Sequence, residues 1–304
     1  MSTTTEVTFP LAPRRKFAGL PFGGMTSVRR GAGSDVAGSR PYVPGDDAHA
    51  IDWASSARLS SAHGADEFIV REYLAEEAPR VVVLSDRRPA MSLFPRPLPW
   101  LDKPAAMRVA AQLIADATLA ARGFFGYLDL GGDDERWVQP RTHHELPAEA
   151  HGGSFDAPED NVERAFEFLA RLQPPLPGGT FVFVLSDFLM PFAEEKWISA
   201  LERRWDIVPV VIQDPVWERS FPDVGGVVMP FHDHTSGKFV TVRLTDREAA
   251  WRREENEARA EQLLARLRTL DLGPVVVTTS DRGDIFQAFL EWADERMISR
   301  GHWW

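Results

Sequence analysis

Val81-Val82-Val83-Leu84-Ser85-Asp86 and Phe181-Val182-Phe183-Val184-Leu185-Ser186-Asp187 are the two stretches whose reading decides the fold. Each is a short, wholly apolar run that stops at Ser-Asp. A strand with one wet face alternates apolar and polar residues, whereas a strand covered on both faces does not. Both runs therefore read as central strands of a parallel sheet. Working outward, Ile207-Val208-Pro209-Val210-Val211-Ile212 and Val275-Val276-Val277 have the same character, and Phe124-Phe125-Gly126-Tyr127-Leu128 is a weaker example.

Helical stripes lie between these runs. Val162, Ala165, Phe166, Leu169 and Leu172 share one helical face, as do Trp197, Ile198 and Leu201. Ala260, Leu263, Leu264, Leu267 and Leu270 form a longer stripe, and Ile285, Phe289, Trp292 and Ala293 form the last. Strands alternating with helices imply right-handed crossovers, hence an α/β fold with a doubly wound, mostly parallel sheet. One Gly-rich interval breaks the pattern. Val224-Gly225-Gly226-Val227-Val228-Met229 and Lys238-Phe239-Val240-Thr241-Val242-Arg243-Leu244 read as an inserted β-hairpin at about residues 222–244. The sheet domain is expected over 79–300, a distinctive polar and aromatic segment over 41–78, and an irregular arm over 1–40.

The 304 residues include 44% hydrophobic and 26% charged side chains, enough to build a full core. A formal net charge of −11 argues against nonspecific nucleic-acid binding, which needs phosphate-neutralising cations. Arg14, Arg15, Lys16, Arg29 and Arg30 make the arm a candidate basic patch or, more blandly, a solvated mobile tail. The sequence has no cysteine, so disulfides, thiolate catalysis and zinc–thiolate sites are excluded. No run approaches the roughly 20 apolar residues that cross a bilayer. The start, Met1 to Thr8, lacks the pattern of a signal peptide. A cytoplasmic protein without an integral membrane segment is expected. Trp303 and Trp304 lie outside every helical stripe and are free to touch a partner.

Ligands of doubly wound sheets bind beyond the carboxyl ends of the strands. Asp86, Asp187, Asp214 and Asp281 all follow apolar runs. Such carboxylates can hold a hard cation or simply cap the next helix. Arg87 and Arg88 beside Asp86 are awkward for a cation site, because a permanent guanidinium competes with the metal. Arg88 is instead placed to pair with Asp187 across the crevice or to reach out to a partner's carboxylate. His143-His144 and His232-x-His234 could share a metal, but they fall in polar loops with no further ligands in evidence. There is no phosphate-binding glycine loop, no nucleophile elbow and no nucleophile with a base, so no cofactor and no catalytic residue is implied.

The densest segment runs from Ser39 to Arg58. Pro44-Gly45 signals a turn, and Asp46 and Asp47 are placed to cap a short helix over Ala48 to Ala57. Tyr42, Ile51 and Trp53 could pack down while Arg40, Arg58 and Arg71 pair with Asp46, Asp47 or Asp52, making a structural clasp. The same acidic and aromatic residues could equally form a recognition surface.

Arg40-Pro41-Tyr42-x-Pro44-Gly45-Asp46-Asp47, then Ile51-Asp52-Trp53-x-x-x-Ala57-Arg58, then Val70-Arg71-Glu72-Tyr73, resembles the signature of the family called domain of unknown function 58. Ser186-Asp187-Phe188, Asp214-Pro215-x-x-Glu218 and Thr235-Ser236-Gly237 follow in order, so the resemblance covers about residues 28–298. It implies a von Willebrand factor A-like domain, and a gene commonly beside a MoxR-type AAA+ ATPase. It implies an adaptor or chaperone-like role with that ATPase, in metal insertion or complex assembly. A-type domains bind a divalent ion through Asp-x-Ser-x-Ser, with a Thr and an Asp from later loops. Here Asp86 matches, Arg88 and Ala90 replace the serines, Asp187 matches the later Asp, and no clear Thr precedes the helix at Asn161. The resemblance thus implies a degenerate metal site. His49 and Ala50 also stand where the family carries basic residues, and the membrane-anchoring helices of longer relatives are not expected.

The expected function is a non-enzymatic partner-binding module acting with a MoxR-type AAA+ ATPase on an unknown client protein. The alternatives are a purely structural subunit and a metal-dependent hydrolase using Asp46, Asp47, Asp86 or Asp187, which the two arginines and the missing base disfavour.

Overall fold

A strand covered on both faces needs helices above and below it, and these are present in the computed structural model. It describes residues 8–14, 36–43, 51–63, 68–73, 78–93, 101–131, 135–141, 154–190, 193–233 and 238–301. By its internal contacts the chain divides into a larger unit, residues 1–14, 80–120 and 124–304, and a smaller one, residues 15–79 with 121–123.

In the smaller unit, β1 (Val36–Pro41) pairs antiparallel with β2 (Ile69–Tyr73), placing Arg40 opposite Val70 and Ser39 opposite Arg71. Between them lies α1 (Trp53–His63). This differs from expectation in two ways. The helix starts at Trp53, inside the Ala48–Ala57 interval, and runs on to His63, and Asp52 caps it by accepting from the Ser55 amide at 3.1 Å. The end of the supposed irregular arm is a strand.

The larger unit holds a six-stranded sheet in the order β10-β7-β6-β3-β4-β5. Its strands are β3 (Arg80–Ser85), β4 (Phe124–Asp129), β5 (Arg136–Arg141), β6 (Phe181–Ser186), β7 (Asp206–Ile212) and β10 (Val275–Val277). All neighbours are parallel except β4 and β5. The chain runs outward from β3 to β5, then returns to β6 beside β3 and runs the other way. That reversal makes the doubly wound topology and opens a crevice where the β3 and β6 ends diverge. The edge strand β5 carries the weak pattern Arg-Trp-Val-Gln-Pro-Arg and escapes a search for apolar runs.

Side-chain alternation divides the core. Val82, Leu84, Val182, Val184, Ile207 and Val211 form one cluster with α3 (Asn161–Arg171), α4 (Glu194–Glu202) and α5 (Asp246–Thr269). Phe183, on the opposite alternation, meets Phe289 and Trp292 of α6 (Arg282–Gly301) at ring distances of 6.2 and 5.7 Å. Beside α6 lies α2 (Lys103–Ala120), a helix that the sequence reading passes over. Its Ala-rich run is buried nearly all round, so no amphipathic stripe marks it. The other stripes hold in the main: Ile285, Phe289, Trp292 and Ala293 are buried, as are Ala260, Leu263 and Leu267. Ile198 is the exception, exposed on α4 beside the fully buried Trp197.

The interval after β7 forms the expected hairpin, β8 (Val228–Asp233) with β9 (Lys238–Arg243), antiparallel. Residues 8–14 pack into the larger unit, with Phe9, Leu11 and Ala12 buried, so this part of the arm is no solvated tail.

Candidate functional site

The crevice between the β3 and β6 ends is filled by charge. Asp86 and Asp187 are fully buried there. Arg88 binds Asp86 Oδ2 through Nε at 2.8 Å and through Nη2 at 2.6 Å. The same Nη2 reaches Asp187 Oδ1 at 2.7 Å, closing the pairing expected across the crevice. Ser186 Oγ donates to Asp86 Oδ2 at 2.6 Å. The adjacent Arg87 turns the other way, to Asp129 Oδ2 at the end of β4 at 2.6 Å. Successive side chains of an extended segment point to opposite sides, so the two arginines serve the two neighbouring strands.

A third cation comes from the unforeseen helix. Lys103, at the start of α2, is 0% exposed and donates from Nζ to Asp187 Oδ2 at 3.0 Å, to Glu218 Oε1 at 2.5 Å and to the Ala90 carbonyl at 3.2 Å. Glu218 Oε2 in turn accepts from the Asp214 amide at 2.8 Å. Burial opposes the charge on Lys103, but Asp187 and Glu218 outweigh it and raise its pKa. For Asp187 burial pushes upward, yet Lys103 and Arg88 hold it below the ordinary carboxylate range. Burial dominates at Glu218 and leaves its pKa raised despite Lys103.

These contacts decide whether a divalent ion fits. Oδ2 of Asp86 takes Arg88 and Ser186, and each oxygen of Asp187 takes a different cation. The replaced serine positions hold the Arg88 guanidinium and Ala90, whose carbonyl accepts from Lys103. The residues present do not fit the ion that the A-type resemblance places here. Asp281 follows the capping reading and accepts from the Gly283 and Asp284 amides at the start of α6, while Asp214 accepts from the Val216 and Trp217 amides of a turn, not a helix. Beside the crevice, an open groove of about 1140 Å³ runs along α3 between Leu130, Phe168 and Met190. Its charges pair locally, Glu167 with Lys196 at 2.7 Å and Asp160 with Arg164 at 2.8 Å.

The second candidate group lies in the smaller unit. Trp53 is 64% exposed, against the expectation that it packs down. It meets Phe68 edge-on at 5.9 Å, and Phe68 meets Tyr42 edge-on at 6.5 Å. Val43 and Phe68 are also exposed, while Tyr42 and Ile51 are half-buried. Arg58 donates from Nε to the Ala54 carbonyl at 3.1 Å within its own helix. Asp52 binds the amide and hydroxyl of Ser55, and the backbone of Ile69 ties to Ser56 Oγ. Asp46, Asp47, His49, Arg15, Lys16, Arg29, Arg30, His143, His144, His234, Trp303 and Trp304 lie outside the described residues, and the side chains of Arg40, Arg71 and His232 do too.

Residues 38–263 match the family described as protein of unknown function DUF58. The chain belongs to that family. Uncharacterized protein Rv1480 of Mycobacterium tuberculosis is similar at 25% identity over 73% of this chain and 68% of its own length, and uncharacterized protein Mb1516 of Mycobacterium bovis is similar to the same extent. Among solved structures, the conserved hypothetical protein BatB of Bacteroides thetaiotaomicron aligns with 71% of this chain and 100% of its own, at 15% identity and a TM-score of 0.42. An aerotolerance-related membrane protein of Bacteroides fragilis, carrying multiple mutations to serines, aligns at 14% identity, with a TM-score of 0.42, over 72% of this chain and 100% of its own.

The family signature thus spans β1, α1 and β2. Sequence reasoning missed Lys103 and gave Glu218 no role, although Asp214-Pro215-x-x-Glu218 was visible as a motif. A lysine opening an Ala-rich helix carries no local signal of burial. Only its three acceptors, from three separate loops, reveal it.

Proposed function

We propose that this DUF58 chain is a non-enzymatic partner-binding module with a von Willebrand factor A-like architecture. It acts in the cytoplasm with a MoxR-type AAA+ ATPase in the assembly or maturation of a client protein. The observation that carries this reading is the aromatic group of Tyr42, Trp53 and Phe68, set in the family signature with Trp53 64% exposed. A clasp would bury its tryptophan, whereas aromatic side chains held by their neighbours and left open to solvent make protein contact sites. The crevice supports the same reading. Its carboxylates are engaged by Arg88 and Lys103, which leaves Asp86 and Asp187 poorly placed to serve a metal-dependent hydrolase as ion ligands.

The test is co-expression with a MoxR-type ATPase from the same cell, followed by affinity pull-down with ATP, ADP and no nucleotide. The parent chain is expected to retain the ATPase in at least one of these states. Trp53→Ala is expected to fold like the parent and to lose the ATPase. Failure of the folded parent in all three states would overturn the reading.

A further inference from the structure

We propose that the end of the sheet opposite the crevice carries a peptide-docking groove, and that residues 8–14 are its ligand, held in cis. The segment Thr8-Phe9-Pro10-Leu11-Ala12-Pro13-Arg14 belongs to no helix or strand. Its side chains are nonetheless held as a bound peptide's are. The Phe9 ring stacks on Phe289 at 4.6 Å and meets Trp292 edge-on at 6.1 Å, and Leu11 and Ala12 are buried behind it.

The polar contacts read the main chain. Arg296 of α6 donates from Nη1 to the Ala12 carbonyl at 3.0 Å. Asp206, the first residue of β7, accepts the Arg14 amide on Oδ2 at 2.6 Å. Its Oδ1 receives Arg296 Nη1 at 3.0 Å, so one ion pair presents a donor and an acceptor to a single stretch of backbone. Asp206 is fully buried and Arg296 is 8% exposed. Between the two contacts stands Pro13, which has no N–H to satisfy. The Arg14 side chain then reaches the Asp271 carbonyl at 2.9 Å and the Leu270 carbonyl at 3.4 Å, where α5 ends and carbonyls favour a cation. Arg296 Nη2 is buried with no hydrogen-bond acceptor among the described residues, and the guanidinium lies over the Trp292 ring at 4.5 Å.

An aromatic pocket, two main-chain contacts fixed by a buried ion pair, and a cation site at a helix end define a register. They select an extended peptide with an aromatic residue, an aliphatic residue two positions on, then a small residue, proline and a basic residue. Any protein presenting such a segment competes with residues 8–14 for the groove. This surface is distinct from the aromatic group of the smaller unit, so its test stands apart from that of the ATPase partner.

The experiment uses the full chain carrying Phe9→Ala, which weakens the cis ligand, and a fluorescein-labelled synthetic peptide with the sequence of residues 7–16. The variant is expected to bind the peptide saturably and at least tenfold more tightly than the parent. A peptide N-methylated at Arg14, which cannot donate to Asp206, is expected to lose binding at least tenfold. A folded Phe9→Ala chain that takes no peptide, or takes both peptides alike, overturns the proposal. Hydrogen exchange on the parent gives an independent answer if the variant does not fold. The Arg14 amide is expected to exchange at least tenfold faster than the Val182–Leu185 amides, through local opening. Equal rates would make residues 8–14 part of the core and overturn the proposal.

Discussion

Lys103 carries its charge in a place where an isolated ammonium would not survive. It does so because Asp187 and Glu218 accept from it at 3.0 and 2.5 Å. Removing one partner of such a buried group leaves the others uncompensated, which costs about 3–5 kcal/mol. Lys103→Met is therefore expected to lose that much in urea melts at pH 7. The pH dependence follows from the directions of the shifts. Asp187 is held below the ordinary range, so its contribution is present above its unfolded-state pKa and is lost as pH falls through the native value. Lys103 is raised, so its contribution is present below the unfolded lysine value and lost only as pH rises through the native one. Without the lysine, Asp187 keeps Arg88, but Glu218, already raised by burial, loses its cation and takes up a proton more readily still than the unfolded chain does. The variant's penalty is thus expected to shrink from pH 7 towards pH 4. A penalty that stays constant over that interval would mean that Lys103 is not what keeps Glu218 charged.

At the scale of elements, α1 shows how a local signal is displaced by its neighbours. Asp46 and Asp47 are expected as the caps and Asp52 as an ion-pair partner, yet Asp52 caps the observed helix through the Ser55 amide. Asp52→Ala is expected to cost about 0.5–2 kcal/mol, as the loss of a cap does. Trp53, first in the helix and 64% exposed, behaves differently. Its edge-on contact with Phe68 is the kind of pair that contributes about 0.5–1.5 kcal/mol, whereas a buried tryptophan would lose about 3–5 kcal/mol on truncation. Trp53→Ala is expected to stay below about 1.5 kcal/mol. Urea melts of the two variants side by side check the order: a Trp53→Ala cost above 3 kcal/mol would restore the clasp. A third case is α5, whose Thr245 and Glu248 form a reciprocal capping box. Thr245→Ala is expected to lower stability by roughly 1 kcal/mol, measured as a shift in the urea midpoint.

For the whole molecule, the doubly wound order brings three strand ends and the start of α2 to one crevice, where the chain's own Arg88 and Lys103 meet the buried carboxylates. A ligand that binds only the folded state stabilises by about 2.7 kcal/mol at one hundred times its dissociation constant. With Asp86 and Asp187 occupied by Arg88 and Lys103, thermal melts in millimolar Mg²⁺ or Mn²⁺ are expected to match those without. An upward shift that Asp86→Ala abolishes would show instead that the metal displaces the guanidinium.

The apolar runs at Val81, Phe181, Ile207 and Val275 determined the α/β class by themselves, because only strands buried on both faces are apolar throughout. The hairpin and most helical stripes were equally legible, since alternation and the 3.6-residue period are local properties. The strands β1, β2 and β5 were not, because their mixed residues become strands only against a partner. Arg88 with Asp187 could be anticipated from two strand ends that must lie side by side. Lys103, Glu218 and the docking of residues 8–14 could not. Each depends on which acceptors other segments bring within about 3 Å, the range of a hydrogen bond, and no spacing along the chain encodes that. The exposure of Trp53 was likewise decided by tertiary structure: the sequence supplies a large apolar ring, and only the packing of α1 against β2 determines which side of it meets water.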